Sequence, residues 1–303
     1  MASISRPTTS PDTGGLALGV GAYVLWGVLP LYIHLLKDVP ALQLLAHRVL
    51  WSVLLLAVAV LALGKGRAIL AAARGRTLLA LVASALLIAV NWIVYIVAVQ
   101  NDHVLAASLG YFINPLVNVG LGMAVLGERL RRWQGVAIAV AAAGVLLMAV
   151  NGGAAIWISL ALAASFSLYG LVRKVVAIDA LGGLIVETIL LAPLCLAWVV
   201  HEAAVGQGSF GTSLRLDLML MLAGAVTAAP LLMFAAAARR MLYSTLGLLQ
   251  YIAPSLQFLM AVLVFHEPLR PVAIVTFALI WGGCALFAWD SWRAARVQIQ
   301  PSG

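Results

Sequence analysis

The chain has 303 residues, of which 64% are apolar and only 9% charged, with a mean hydropathy of +1.10. A soluble globular domain carries nearly a quarter of its residues as charges, so this composition excludes one. The formal net charge is +8, and two cysteines exclude a disulfide framework.

Residues 1–13 are polar, with Arg6, Pro7 and Pro11, and read as a disordered tail. Crossing a bilayer takes about 20 mostly apolar residues in a helix. Ten segments qualify: 15–36, 42–63, 77–99, 104–126, 133–150, 154–172, 181–200, 217–238, 245–265 and 271–289. Residues 292–303 are left as a second tail. A β-barrel would need short alternating strands and long polar loops, which the chain lacks. The first span is followed by nine more and reads as retained rather than as a cleaved signal.

In the first span Tyr23, Trp26, Pro30 and His34 recur at helical spacing and share a face. Pro30 removes a backbone donor and frees a carbonyl in mid-membrane. The second span holds Arg48 and the seventh Glu187. A charge in hydrocarbon costs about 2.5 kcal/mol or more, so both are expected to face the interior unless they snorkel. The third span supplies Asn91 and Tyr95 on one face and ends in the polar run Gln100, Asn101, Asp102, His103. The sixth supplies Ser165, Phe166 and Tyr169. Aromatic rings beside hydrogen-bonding groups suit a pocket, though an interfacial aromatic belt would use the same residues. Cys195 and Cys284 lie in apolar spans as small buried side chains, and no histidine spacing suits a metal.

The fourth and ninth spans are copies. The stretch LAASLGYFINPLVNVGLGMAVLGERLRR, from Leu105, reads 139 positions later and without a gap as STLGLLQYIAPSLQFLMAVLVFHEPLRP. Pro115 falls on Pro254, Glu128 on Glu267 and Arg131 on Arg270; Arg48 and Glu187 stand at the same offset. Tyr111, Asn114 and Asn118 flank the first proline, and Gln250, Tyr251 and Gln257 the second. Prolines that loosen backbone, with amides beside them, belong against a hydrated passage or another helix rather than lipid.

The cations fix orientation. With a cytoplasmic N-terminus, fourteen of the eighteen Lys and Arg residues fall inside; Lys37, Arg215 and Arg270 fall outside, and Arg48 lies within a span. This positive-inside bias makes both termini cytoplasmic and accounts for the basic charge without nucleic acid. Five spans per half, an odd number, invert the second half. The chain therefore reads as an all-α integral membrane protein of ten helices in two inverted five-helix repeats, residues 14–150 and 151–291. No nucleotide-binding pattern appears, and no cofactor is implied.

The blocks AYVLWGVLPLY, LLAHRVLWSVLLL, NWIVYIVAVQ, AASLGYFINPLVNVGLGMAVLGERL, SFSLYGLVRK, ETILLAPL and GLLQYIAPSLQFLMAVLVFHEPL, in this order, resemble the RarD branch of the EamA-type drug/metabolite transporters, relatives of the bacterial aromatic amino acid exporters. The likeness runs over residues 15–290. It implies a drug/metabolite transporter fold, a central cavity and export across the bacterial inner membrane. One departure is Ala106 or Ala107, where the family more often carries Glu. Small amino acids and related metabolites become the expected cargo, carried by alternating access in a chain that suffices as a monomer. The alternative is proton-coupled export of drugs or non-amino-acid metabolites; an intramembrane lipid-modifying enzyme or a channel fits the residues less well. Expected substrate contacts are Trp26, Arg48, Asn91, Tyr95, Tyr111, Asn114, Asn118, Phe166, Tyr169, Gln250 and Gln257. Pro30, Pro115 and Pro254 are expected to break or gate helices, and Glu187, His34 and Asp102 to couple transport to protons.

Overall fold

The computed structural model describes residues 13–126, 131–151, 155–238, 240 and 249–299. Among them the chain forms eleven α-helices. These are α1 (Thr13–His34), α2 (Ala41–Ala62), α3 (Gly66–Ala72), α4 (Gly75–Gln100), α5 (Val104–Leu126), α6 (Arg132–Asn151), α7 (Ile156–Val175), α8 (Ala180–Ala204), α9 (Leu214–Ala238), α10 (Ile252–Leu263) and α11 (Pro271–Ile299).

Seven of these helices contain a stretch long and apolar enough to cross a bilayer: α1, α2, α4, α7, α8, α9 and α11. Apolar side chains such as Leu61, Leu79, Val150 and Leu194 stand strongly exposed on the outer surface. Apolar residues on the outside and polar ones within are what a helix bundle in lipid requires, because the backbone satisfies itself inside each helix.

Two segments depart from the sequence reading. The stretch 64–76, expected as a loop, holds α3, which buries Ile69 between the left-handed Gly64 (φ 63°) and Gly75 (φ 53°). The tail expected over 292–303 is helical through Ile299, because the run from Ser291 to Ile299 holds neither Gly nor Pro and α11 continues past its apolar part. The part of the ninth expected span before Leu249 lies outside the described residues, as do residues 1–12 and Glu128.

Helix ends follow local chemistry. Asp179 caps α8, its carboxylate accepting from Gly182 N at 2.7 Å. Glu267, in the connection after α10, caps a different helix. Its two oxygens accept from Val104 N at 2.6 Å and Leu105 N at 3.1 Å, the unpaired donors that open α5.

Each helix packs mainly on helices distant in sequence. α1 lies against α9 and α10; α2 against α8 and α9; α4 against α7 and α8; α5 against α7 and α10; and α6 against α11. The α2–α9 contact is close enough that a Cβ on Gly224 would stand 2.5 Å from the Trp51 carbonyl carbon and 2.8 Å from Ser52 N. Backbone cannot move aside as a side chain can, so only glycine permits this approach. Ser52 donates to Gly224 O at 3.4 Å, and one helical turn further along the pair Arg48 and Thr227 meet. An aromatic knot of Phe112, Phe258, Phe277 and Trp281, with centroids 4.6 to 6.0 Å apart, ties α5 and α10 to α11.

Candidate functional site

Arg48 is buried, 3% exposed, so it does not snorkel. Its Nε donates to Thr227 Oγ1 at 3.0 Å, and its guanidinium carbon lies 5.3 Å from the centre of the Trp92 ring. Thr227 passes its own proton back along α9 to Ala223 O at 2.8 Å. Tyr32, Tyr95 and Tyr111 lie within electrostatic reach of the guanidinium. Arg48 Nη1 and the Tyr95 hydroxyl have no hydrogen-bond partner among the described residues.

From Tyr95 a row of rings leads away. Tyr95 and Tyr111 are 5.6 Å apart, Tyr111 and Phe166 are 5.9 Å apart edge to face, and Phe166 and Tyr169 are 5.9 Å apart. Such separations suit the ring quadrupoles. The Tyr111 hydroxyl donates to Asn91 Oδ1 at 3.1 Å, while Asn91 Nδ2 reaches Leu162 O at 3.2 Å and Ser165 Oγ at 3.0 Å. Asn91 thereby fixes α4 against α7 and holds Tyr111 at the middle of the row.

At the far end Tyr169 donates to Glu187 Oε2 at 3.3 Å. Ser84 donates to Glu187 Oε1, and Arg173 Nη1 lies 3.7 Å from the same oxygen. Glu187 is fully buried, and so is Thr188 beside it. Arg173 reaches inward across Gly183, where a Cβ would stand 1.5 Å from Nη1. The site is thus an aromatic row with a buried cation at one end and a buried, neutralised carboxylate at the other. It draws on α1, α2, α4, α5, α7, α8 and α9.

The structure gathers Arg48, Asn91, Tyr95, Tyr111, Phe166, Tyr169 and Glu187, all expected from sequence. Others lie apart. Trp26 packs 5.4 Å from Tyr23 and 6.0 Å from Phe234 in a separate cluster between α1 and α9. Gln257 Nε2 donates to Trp26 O at 3.1 Å, the carbonyl that Pro30, four residues on, leaves without its helical donor. The freed carbonyl is therefore met by an amide of α10. Pro254 is buried early in α10, and its own carbonyl accepts from Ser108 at 2.7 Å.

Asn114 is buried with Oδ1 unpartnered, Asn118 is exposed, and Gln250 neighbours the Tyr251 hydroxyl. Pro115 lies inside α5. Asp102, expected as a coupling residue, stands in the exposed turn between α4 and α5 at φ 57°, 3.9 Å from His34. A polar run closing one helix and opening the next has no apolar cover, so its acid meets solvent.

The sequence reading did not single out Ser84 or Thr227, and Trp92 and Tyr32 were not among its expected substrate contacts. Tyr32 donates to Met219 O at 2.7 Å and so joins α1 to α9. Arg173 was counted among the cytoplasmic loop cations, yet it follows Tyr169 by one turn and shares its face.

Comparison with known proteins supplies the family. The model of the EamA-like transporter family matches residues 13–150. Protein RarD of Streptomyces exfoliatus is 46% identical over 93% of this chain and 90% of its own length. Chloramphenicol-sensitive protein RarD of Pseudomonas aeruginosa is 35% identical over 94% of this chain and 97% of its own. A solved crystal structure with 22% identity covers 92% of this chain and 98% of its own, with a TM-score of 0.61, which shows that the fold is shared. The chain therefore belongs to the EamA-like transporter family, in its RarD branch, as a multi-pass inner-membrane transporter and not an enzyme.

Proposed function

We propose that the chain exports drugs or small non-amino-acid metabolites by alternating access, using the row from Arg48 to Glu187 as its central site. The observation that carries this reading is the row itself. A row of aromatic faces between two buried charged groups, with Arg48 Nη1, the Tyr95 hydroxyl and Arg173 Nη1 lacking hydrogen-bond partners among the described residues, suits an amphipathic small molecule better than a helix interface, where polar groups find each other. The name of the Pseudomonas relative, which speaks of chloramphenicol sensitivity, favours drug-like cargo over amino acids.

Alternating access in this reading uses ten spans in two inverted halves, 14–150 and 151–291, with both termini cytoplasmic. Support comes from the helix contacts, which pair off when the halves are exchanged. The α1–α9 contact corresponds to α7–α4, α1–α10 to α7–α5, and α2–α9 to α8–α4, while α2–α8, α5–α10 and α6–α11 map onto themselves. A pseudo-two-fold axis of this kind lets one set of contacts open as its counterpart closes. Glu187 is the coupling candidate, since protonating it would release Arg173.

Counterflow in proteoliposomes holding the purified protein, with no ion gradient, tests the reading. The panel contains labelled phenicols, aromatic carboxylates and amino acids. Saturable uptake of a phenicol or carboxylate stimulated by unlabelled compound inside is expected. Uptake confined to amino acids would replace the cargo class, and flux linear in concentration would indicate a channel.

A further inference from the structure

We infer that the cargo of this site carries an oxyanion, a carboxylate or a phosphate-type group, without a neighbouring ammonium, and that Arg48 and Tyr95 receive it. The inference rests on the transport reading above and adds the chemistry of the cargo. A guanidinium keeps its charge when buried and presents its donors in a planar fork. Here Nε is engaged by Thr227 and one face by Trp92, which leaves Nη1 without an acceptor among the described residues. The Tyr95 hydroxyl, on a residue only 2% exposed, is unpartnered as well and lies within electrostatic reach of that guanidinium.

An unmade hydrogen bond to a buried charge is costly, so a pair of idle donors marks a place where an acceptor arrives. An oxyanion is the strongest acceptor for such donors, and a neutral carbonyl accepts more weakly. The other tyrosines do not compete: Tyr111 gives its proton to Asn91 and Tyr32 gives its proton to Met219.

The same geometry disfavours a zwitterion. An α-amino acid would bring its ammonium close to its carboxylate, and hence close to Arg48, where a carboxylate of the protein would be needed. Glu187, the acid of this cluster, is at the other end of the ring row with both oxygens engaged, by Ser84 and by Tyr169. Like charges placed together without an acid between them repel.

The test uses the full-length protein in lipid nanodiscs and reads binding by intrinsic tryptophan fluorescence, with Trp92 beside the site. The probes are 3-phenylpropionate, its amide, phenylphosphonate and L-phenylalanine. The acid and the phosphonate are expected to bind about 10- to 100-fold more tightly than the amide or the amino acid, the range a charge-assisted pair confers. Whichever of the two anions binds more tightly identifies carboxylate or phosphate-type cargo. Arg48→Gln should erase the preference and Arg48→Lys should restore part of it. Tyr95→Phe, which keeps the ring and its packing, should lower the preference about fivefold, and it remains informative if the arginine variants do not fold. Equal binding of acid and amide, an acid preference that survives both Arg48→Gln and Tyr95→Phe, or no binding by any probe would overturn the inference. Counterflow separates the two claims. Saturable transport of a neutral phenicol with no acid preference leaves the transport reading standing and removes this inference, while Arg48-dependent acid binding with no transport of any compound does the reverse.

Discussion

Arg48 and Glu187 stand 139 positions apart, the offset that relates the fourth and ninth expected spans, and carry opposite charge. Each is buried and each meets a hydroxyl on a helix of the other half, Thr227 for the cation and Ser84 for the anion. The two differ in countercharge: Glu187 has Arg173 at 3.7 Å, whereas Arg48 has no carboxylate paired with it among the described residues, and Nη1 of each arginine lacks a hydrogen-bond acceptor there. A buried ion pair is suited to switching, because protonating the acid removes the attraction that holds Arg173. In proteoliposomes, a one-unit pH gradient exchanging one proton per cargo should drive about tenfold accumulation in the wild type. Glu187→Gln should lower that ratio to unity while gradient-free counterflow continues. Accumulation that persists in Glu187→Gln would assign coupling elsewhere. Both charges were legible in the sequence, since a charge inside an apolar span must face inward. Arg173 was not, because hydropathy counts place a cation near a helix end in the loop and say nothing of its reach across Gly183.

At the scale of elements, the repeat gives helices their faces and glycines give them their spacing. The α2–α9 approach at Gly224 sets Arg48 against Thr227, and the Asn91 network sets α4 against α7. The cap that Glu267 places on α5, through hydrogen bonds from Val104 and Leu105, ties the connection after α10 to the start of α5. Removing the cap by Glu267→Ala should cost about 1 kcal/mol, read as a lower unfolding midpoint in detergent. Burial raises the Glu267 carboxyl above its ordinary value, against the pull of the Leu105 and Val104 N–H groups and of His103. A raised folded-state value means that this group's contribution is fully present below its unfolded value and is lost as pH rises through the folded one. The midpoint of the wild type relative to Glu267→Gln should therefore fall as pH rises from about 4 toward neutrality, starting from the unfolded value of the carboxyl. A difference that grows with pH would contradict this sign. Helical periodicity told which residues share a face, as for Asn91 with Tyr95, but not which helix that face meets. Trp26 was therefore grouped with Tyr95 although it packs with Tyr23 and Phe234. The same limit hid the bond from the Gln257 amide to the carbonyl freed by Pro30, which leaves Gln257 Oε1 without a partner among the described residues.

For the whole molecule, the proposed alternating access requires the halves to part at one end while they close at the other. Lys65, after α2, is paired with Asp179 at the start of α8, so a residue of the first half is tied to one of the second. At another connection Gln43 donates to Glu202 Oε2 and to Gln207 O, both at 2.8 Å, and accepts from Ser209 N at 2.9 Å. The many-span helical bundle was legible because length and hydropathy fix spans in a bilayer. The contacts between halves were not, since they join residues more than a hundred positions apart and no periodicity encodes them. The most direct measurement is counterflow by a protein locked at the first tie, with Lys65→Cys and Asp179→Cys joined by a reducible bis-methanethiosulfonate cross-linker in a background where Cys195 and Cys284 are alanine. Alternating access predicts that cross-linking lowers counterflow at least about tenfold and that reduction restores it, with neither single cysteine affected by the reagent. Full-rate counterflow by the cross-linked protein would contradict the account.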